Sequence, residues 1–116
     1  MDAQKGYSEK QVGEMLKDVT EFERAVYLAT FRIPMGKVST YGRIAAKIGK
    51  PKACRAVANA LHNNPLHPIV PCQRVVQANG GFGGRQDHAE GRRKQLVDEG
   101  VPMKNGRIVM SDDIVV

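Results

Sequence analysis

"YGRIAAKIGKPKACRAVANALHNN", residues 41–64, reads as two short helices joined by a tight turn at "GKPK". Ser39 or Thr40 can cap the first helix, over residues 41–49. Gly49 can close it, because glycine takes the left-handed conformation that ends a helix without steric cost. Pro51 suits the first turn of the second helix, over residues 52–64. At about 100° per residue, Ala53, Ala56, Val57, Ala60 and Leu61 form one apolar stripe, with Arg55, Ala58, Asn59 and His62 on the opposite face. A helix pair that turns arginine, asparagine and small alanines outward has the pattern of a helix-turn-helix. Small side chains let the backbone approach a groove, and cations meet phosphates. An ordinary helical hairpin with an alanine-rich surface shares that spacing.

Upstream, Ser8 can cap a helix over residues 9–19, whose Val12, Met15 and Leu16 fall at helical spacing. Thr20 and Glu23 have the spacing of a capping box ahead of a helix over residues 22–33, ended by Pro34 and Gly36. "GKVS" then reads as a connector. Downstream, "PIVPCQRVV" at 68–76 is a short apolar segment broken by Pro71. "QANGGFGGRQD" is a glycine-rich loop, residues 89–100 a fifth helix closed by Gly100, and Asn105-Gly106 the turn of a hairpin.

The chain has 116 residues and 41% hydrophobic content, which suits one domain with one core, and it has no tryptophan. No apolar run approaches the roughly 20 residues of a membrane span, and the start lacks the apolar stretch of a signal peptide. Two cysteines without a framework pattern fit a reducing compartment, so an intracellular protein without a Cys54–Cys72 disulfide is expected. Charge is uneven: residues 32–94 hold 12 lysines and arginines against two acids, Asp87 and Glu90, while the rest holds six against ten. A basic middle between acidic ends suggests a face for a polyanion, although a solvated basic surface gives the same count.

The glycine-rich loop completes no phosphate-binding signature, so no nucleotide cofactor is expected. Cys54, His62, His67, Cys72 and His88 lack the spacing of a metal site, and none is expected.

Over about residues 20–100 the chain resembles a known family. "TEFERAVYLATFRIPMGKVSTYGRIA", "NNPLHPIVPCQRVV" and "LVDEGV" look like the DNA-binding and active-site domain of the O6-alkylguanine-DNA alkyltransferases. Those repair proteins bind duplex DNA in the minor groove through a winged helix. They flip the damaged guanine into a pocket and move its alkyl group irreversibly onto a cysteine. The resemblance implies a mainly α fold with short β segments, a single winged-helix domain over residues 1–116 in which 1–19 form an N-terminal helical extension. It makes Cys72 the alkyl acceptor, Tyr41 the tyrosine that rotates the target phosphate, and Arg55 the finger that fills the gap left by the flipped base. It places Ala58 and Asn59 on the DNA face. Asn64, Pro71 and Arg74 fall in the lesion pocket, and Glu99 ends the hydrogen-bond relay.

Two positions depart from the family pattern. Its signature Pro-Cys-His-Arg-Val has Gln73 where the histidine stands. Its loop tyrosine, thirteen residues after the cysteine, is Arg85 here. An arginine at that place is similar to the alkyltransferase-like branch, which binds O6-alkylguanine without repairing it and hands the lesion to nucleotide excision repair. That branch typically lacks the cysteine, which this chain keeps. Glutamine cannot hold a proton near neutral pH. The expectation is therefore a monomeric reader of O6-alkylguanine in duplex DNA, with Arg85 in the lesion pocket and weak or absent transfer to Cys72. The alternatives are an active suicide methyltransferase and a winged-helix transcription regulator.

Overall fold

A computed structural model describes residues 6–67, 69–82 and 86–116, with the backbone alone for 86–88. It is mostly helical, with short strands. Helix α1 (Glu9–Met15) starts at Ser8, whose hydroxyl accepts from Gln11 N–H while the Gln11 side chain accepts from Ser8 N–H. It stops four residues before its sequence-based end. Leu16 leaves helical geometry and turns into the core, while Met15, expected at the core, is 43% exposed. Two buried side chains, Val12 and Leu16, are enough to dock so short a helix.

Helix α2 (Glu21–Phe31) carries the expected capping box: Thr20 Oγ1 accepts from Glu23 N–H and Glu23 Oε1 from Thr20 N–H. Its Val26 and Tyr27 are fully buried, and the Tyr27 hydroxyl donates to the Ala60 carbonyl at 2.7 Å. That bond ties α2 to the second helix of the helix-turn-helix. The segment read as a connector, residues 36–39, ends in strand β1 (Ser39–Thr40). It pairs in parallel with β2 (Val75–Val76), Ser39 opposite Val75 and Thr40 opposite Val76. Two-residue strands show no alternation, so periodicity cannot reveal them.

Helix α3 (Tyr41–Lys47) is capped by Thr40, which accepts from Arg43 N–H, while Ser39 donates instead to the Val116 carbonyl. Gly49 closes α3 at φ 79°, with Lys50 N–H bonded to the Ala45 carbonyl. Helix α4 is Cys54–His62, shorter at both ends than expected, and Pro51 lies in the turn before it rather than in its first turn. Val57, Ala60 and Leu61 bury as predicted. Ala56, assigned to the same stripe, is exposed, and Ala53 is half-buried. A methyl group gains little from burial, so the docking angle follows the valine and leucine.

Helix α5 (Gln86–Asp98) begins three residues before its sequence-based start, and a hairpin of β3 (Met103–Lys104) and β4 (Arg107–Ile108) follows. Asn105 and Gly106 both have positive φ, 54° and 76°, which is the primed turn that the pair favours. The core has two clusters. One joins α1 to α4 with Val70 and Val75; the other joins Val38, Val76, Leu96, Val101 and Ile108. The β1–β2 pair supplies residues to both and fixes the segment that carries Cys72. Among the described residues no helix is long and apolar enough to cross a membrane.

Gly80 closes the turn after β2 at φ 80°, and a Cβ there would clash with the Ile108 carbonyl oxygen. Gly80→Ala adds that backbone clash to a disfavoured conformation. Such strain costs about 1–3 kcal/mol, which is expected as a lowered midpoint in urea denaturation.

Candidate functional site

Cys72 opens a single 3₁₀ turn, Cys72–Arg74, that follows Pro71 and runs directly into β2. The thiol lines a cavity of about 580 Å³. Tyr41, the first residue of α3, and the outward face of α4 form the facing wall: Cys54, Arg55, Ala58, Asn59 and His62 all reach it. Leu61 of α4, Arg92 from α5 and Gln77 beyond β2 complete the described lining. The structure thus brings Cys72, Tyr41, Arg55, Ala58 and Asn59 to one cavity. Arg85 lies outside the described residues. Among those described, no three His, Cys, Asp or Glu side chains gather as a metal site would need.

Asn64 sits beside this cavity rather than in its wall. Its Nδ2 donates to the Val70 carbonyl at 2.8 Å and its Oδ1 accepts from Leu66 N–H at 2.9 Å, so it braces the turn leading to Pro71 and Cys72. Burial pushes the Cys72 thiol above its ordinary range. A hydrogen bond from Asn64, the charge of Arg92 and the backbone N–H groups of Cys72 and Gln73 pull the other way without cancelling that rise.

Behind the thiol lies a buried polar cluster. Gln73 is 4% exposed and its Nε2 donates to Glu99 Oε2 at 2.9 Å. Arg74 is 2% exposed; its Nε donates to Glu99 Oε1 at 2.7 Å and its Nη1 to the Ile33 carbonyl at 2.8 Å. One carboxylate therefore serves both neighbours, one oxygen each. Arg74, expected in the lesion pocket, is not part of the cavity wall. Its long side chain runs the other way to find a counter-charge, as a buried guanidinium must. Gln73 Oε1 is buried with no hydrogen-bond partner among the described residues. Rotating the amide would aim that oxygen at the Glu99 carboxylate, so the orphan is the better of two arrangements.

Arg92 was not singled out from the sequence. Its Nη1 donates to the Tyr41 hydroxyl at 3.4 Å, and its guanidinium stands 5.8 Å from the Phe82 ring centroid. A signal existed: Arg92, Leu96 and Glu99 are spaced i, i+4, i+7, the helical spacing of one face running from α5 into the turn that follows it. An inward Glu99 implies an inward Arg92.

The family model described as the DNA-binding domain of 6-O-methylguanine DNA methyltransferase matches residues 21–101. The chain belongs to that family. As an alkyltransferase-family chain it is 52% identical over 65 residues to the methylated-DNA–protein-cysteine methyltransferase of Methanosarcina acetivorans, covering 56% of this chain and 42% of that relative. It therefore spans less than half the length of such relatives. Among solved structures it is similar to Mycobacterium tuberculosis OGT in complex with DNA, with TM-score 0.66 and 41% identity over 70% of this chain and 50% of that one. It is equally similar to S. pombe Atl1 in complex with damaged DNA containing O6-carboxymethylguanine, with TM-score 0.66 and 37% identity over 72% of this chain and 80% of that one. The fold implied by the resemblance is thus the fold of this chain's structural neighbours in the alkyltransferase family.

Proposed function

We propose that this protein reads O6-alkylguanine in duplex DNA and transfers the alkyl group to Cys72 slowly or not at all. The observation that carries this reading is the floor of the cavity. The thiol is raised by burial, and the side chain between it and Glu99 is an amide that cannot take up its proton. In this reading residues 1–116 act as one unit, with α1 an appended extension. The outward face of α4 enters the minor groove, where small Ala58 allows close approach and Asn59 meets the strand. A base within the stack is out of reach, so the lesion is flipped, at about a few kcal/mol. Tyr41 crowds the target phosphate, and Arg55 fills the vacancy. The flipped base enters beside Cys72, Asn64 and Pro71, with Arg85 on its edge. The protein acts inside the cell as a monomer without cofactor, and nucleotide excision repair proteins receive the complex. The S. pombe complex with its damaged DNA supports the binding step.

One observation favours an active transferase. Asn64 and the charge of Arg92 both stabilise a thiolate at Cys72. In that reading the sulfur attacks the alkyl carbon, an S–C bond forms, the C–O6 bond breaks, and guanine leaves with the electron pair and is then protonated. Incubation with a duplex containing O6-methylguanine, followed by intact-mass analysis, separates the two. A stoichiometric gain of one methylene at Cys72 identifies the enzyme. Preferential binding without mass gain identifies the reader. No preference over undamaged DNA identifies a winged-helix regulator.

Two expectations accompany this reading. Arg55→Ala weakens lesion binding by about tenfold or more and exceeds the effect of Lys10→Ala, since only Arg55 replaces a base; equal losses in fluorescence anisotropy titrations would remove the finger assignment. Any residual transfer accelerates with pH. The thiol pKa is raised, so the thiolate fraction grows about tenfold per pH unit through and beyond the ordinary thiol range. A flat profile between pH 7 and 9 in single-turnover assays contradicts a buried, protonated Cys72.

A further inference from the structure

The hairpin that follows α5 lies beyond the residues that the family model matches, which end at 101. Burial divides its two faces. Ile108 is buried and Met103 half-buried, while Lys104 and Arg107 are exposed on the other side. The register sets Lys104 directly opposite Arg107 across the Asn105-Gly106 turn. Side chains so placed stand about 5 Å apart at Cβ, and like charges there repel. An acid at either position would keep the hairpin soluble and turn the repulsion into attraction. Residues 101–111 contain no acid. Neither cationic head has a hydrogen-bond or ion-pair partner among the described residues.

The place of the pair indicates what relieves it. Ile108 N–H donates to the Gly80 carbonyl at 2.9 Å, which ties the hairpin to the glycine-rich loop after β2. Arg93 Nε donates to the Gly106 carbonyl at 3.1 Å, and the Arg93 guanidinium stands 5.4 Å from the Phe82 ring centroid. On the same ring, at 5.8 Å, stands Arg92, which lines the cavity. An unbroken set of contacts therefore runs from the cavity through Arg92, Phe82 and Arg93 to the hairpin turn. A DNA strand whose nucleotide enters the cavity continues past its rim on both sides. Tyr41 and α4 stand at one side, and the hairpin follows from the α5 side.

We infer that Lys104 and Arg107 form a second phosphate-binding surface for duplex DNA, across the cavity from α4. The inference rests on the DNA-binding reading and extends it to a part of the chain outside the family match. A phosphate between two like charges removes their repulsion, and each contact releases counterions from the duplex. Lysine meets it as a point charge and arginine as a fork of donors. Such contacts carry no base information, so they strengthen binding to damaged and undamaged DNA alike.

The test titrates wild type and the double variant Lys104→Gln with Arg107→Gln by fluorescence anisotropy over a range of salt concentrations. One duplex is unmodified, and the other differs only by one O6-methylguanine. Two lost phosphate contacts lower the steepness of log affinity against log salt by about 1.8. Affinity at low salt is expected to fall about tenfold for both duplexes, with their ratio unchanged. Lys104→Arg keeps the wild-type slope. Lys10→Gln with Lys17→Gln, at the α1 end of the molecule, removes the same charge and is expected to change the slope little. An unchanged slope in the hairpin variant overturns the inference, since the pair is then only solvated. An equal fall in the α1 variant also overturns it, because net charge alone would account for the effect. A loss confined to the damaged duplex moves the pair to the lesion pocket and overturns it as well. The lesion reader is judged separately, by the wild-type ratio between the two duplexes. A ratio near one removes that reading, while a reduced slope in the hairpin variant still upholds the phosphate contact.

Discussion

Gln73→His is expected to raise alkyl transfer from O6-methylguanine to Cys72 by about 10²–10⁴-fold, the usual worth of general-base assistance. The site is already arranged for it. Gln73 Nε2 donates to Glu99 Oε2, the bond that an imidazole N–H would make in its place. The second ring nitrogen would then stand near the present Gln73 Oε1, a buried acceptor that has no partner among the described residues. An amide oxygen there can accept a hydrogen bond from water or thiol but cannot hold the proton. An imidazole can: its ordinary pKa is near ~6.5, and a carboxylate on its far side stabilises the imidazolium. The thiol proton would pass through one water to that nitrogen, and the sulfur would attack as thiolate.

Single-turnover mass spectrometry reads the result directly. Cys72→Ala in the same background should abolish the mass gain and leave lesion binding largely intact, which separates chemistry from recognition. Wild type already transferring as fast as the variant would mean that Gln73 is no handicap and would favour the active enzyme. No transfer in either protein would move the obstacle to leaving-group support, where Arg85 replaces the family's tyrosine.

How much of this was legible follows from the range of each interaction. The Thr20–Glu23 box, the Gly49 closure and the Asn105-Gly106 turn were placed to the residue, because their chemistry lies within a few positions along the chain. The helix-turn-helix was legible for the same reason, since its stripe and turn are local. The β1–β2 pair was not, because Ser39 meets Val75 across the whole helix-turn-helix. Arg74 shows the same limit at the site. An arginine within "PCQRV" reads as pocket chemistry, and its counter-charge lies 25 residues away, just past the end of α5. Helix α1 stopped early because nothing in "LKDV" distinguishes a last turn from a loop once Leu16 is buried. Arg92 needed only the heptad spacing from Glu99, a signal present but unread.

Glu99→Ala is expected to destabilise the fold by about 3 kcal/mol, the low end of the cost of breaking a buried ion pair by removing one partner. The low end applies because Glu99 keeps 12% side-chain exposure and water can enter where the carboxylate stood. Arg74, at 2%, stays buried and loses its neutralising charge, while the Gln73 amide loses its acceptor. Against a typical total of roughly 5–15 kcal/mol, that is a large share of the stability. Urea denaturation should show a lower midpoint with an unchanged slope. Glu99→Gln should cost less, since it can still accept from Arg74 while Gln73 reorients to take its second amide hydrogen. The paired change Arg74→Met with Glu99→Leu removes both charges at once and should recover part of the loss, because neither partner is left buried alone. If Glu99→Ala proved neutral, or the paired change cost the sum of its singles, the cluster behind Cys72 would be incidental packing. The floor of the cavity would then need another source of rigidity.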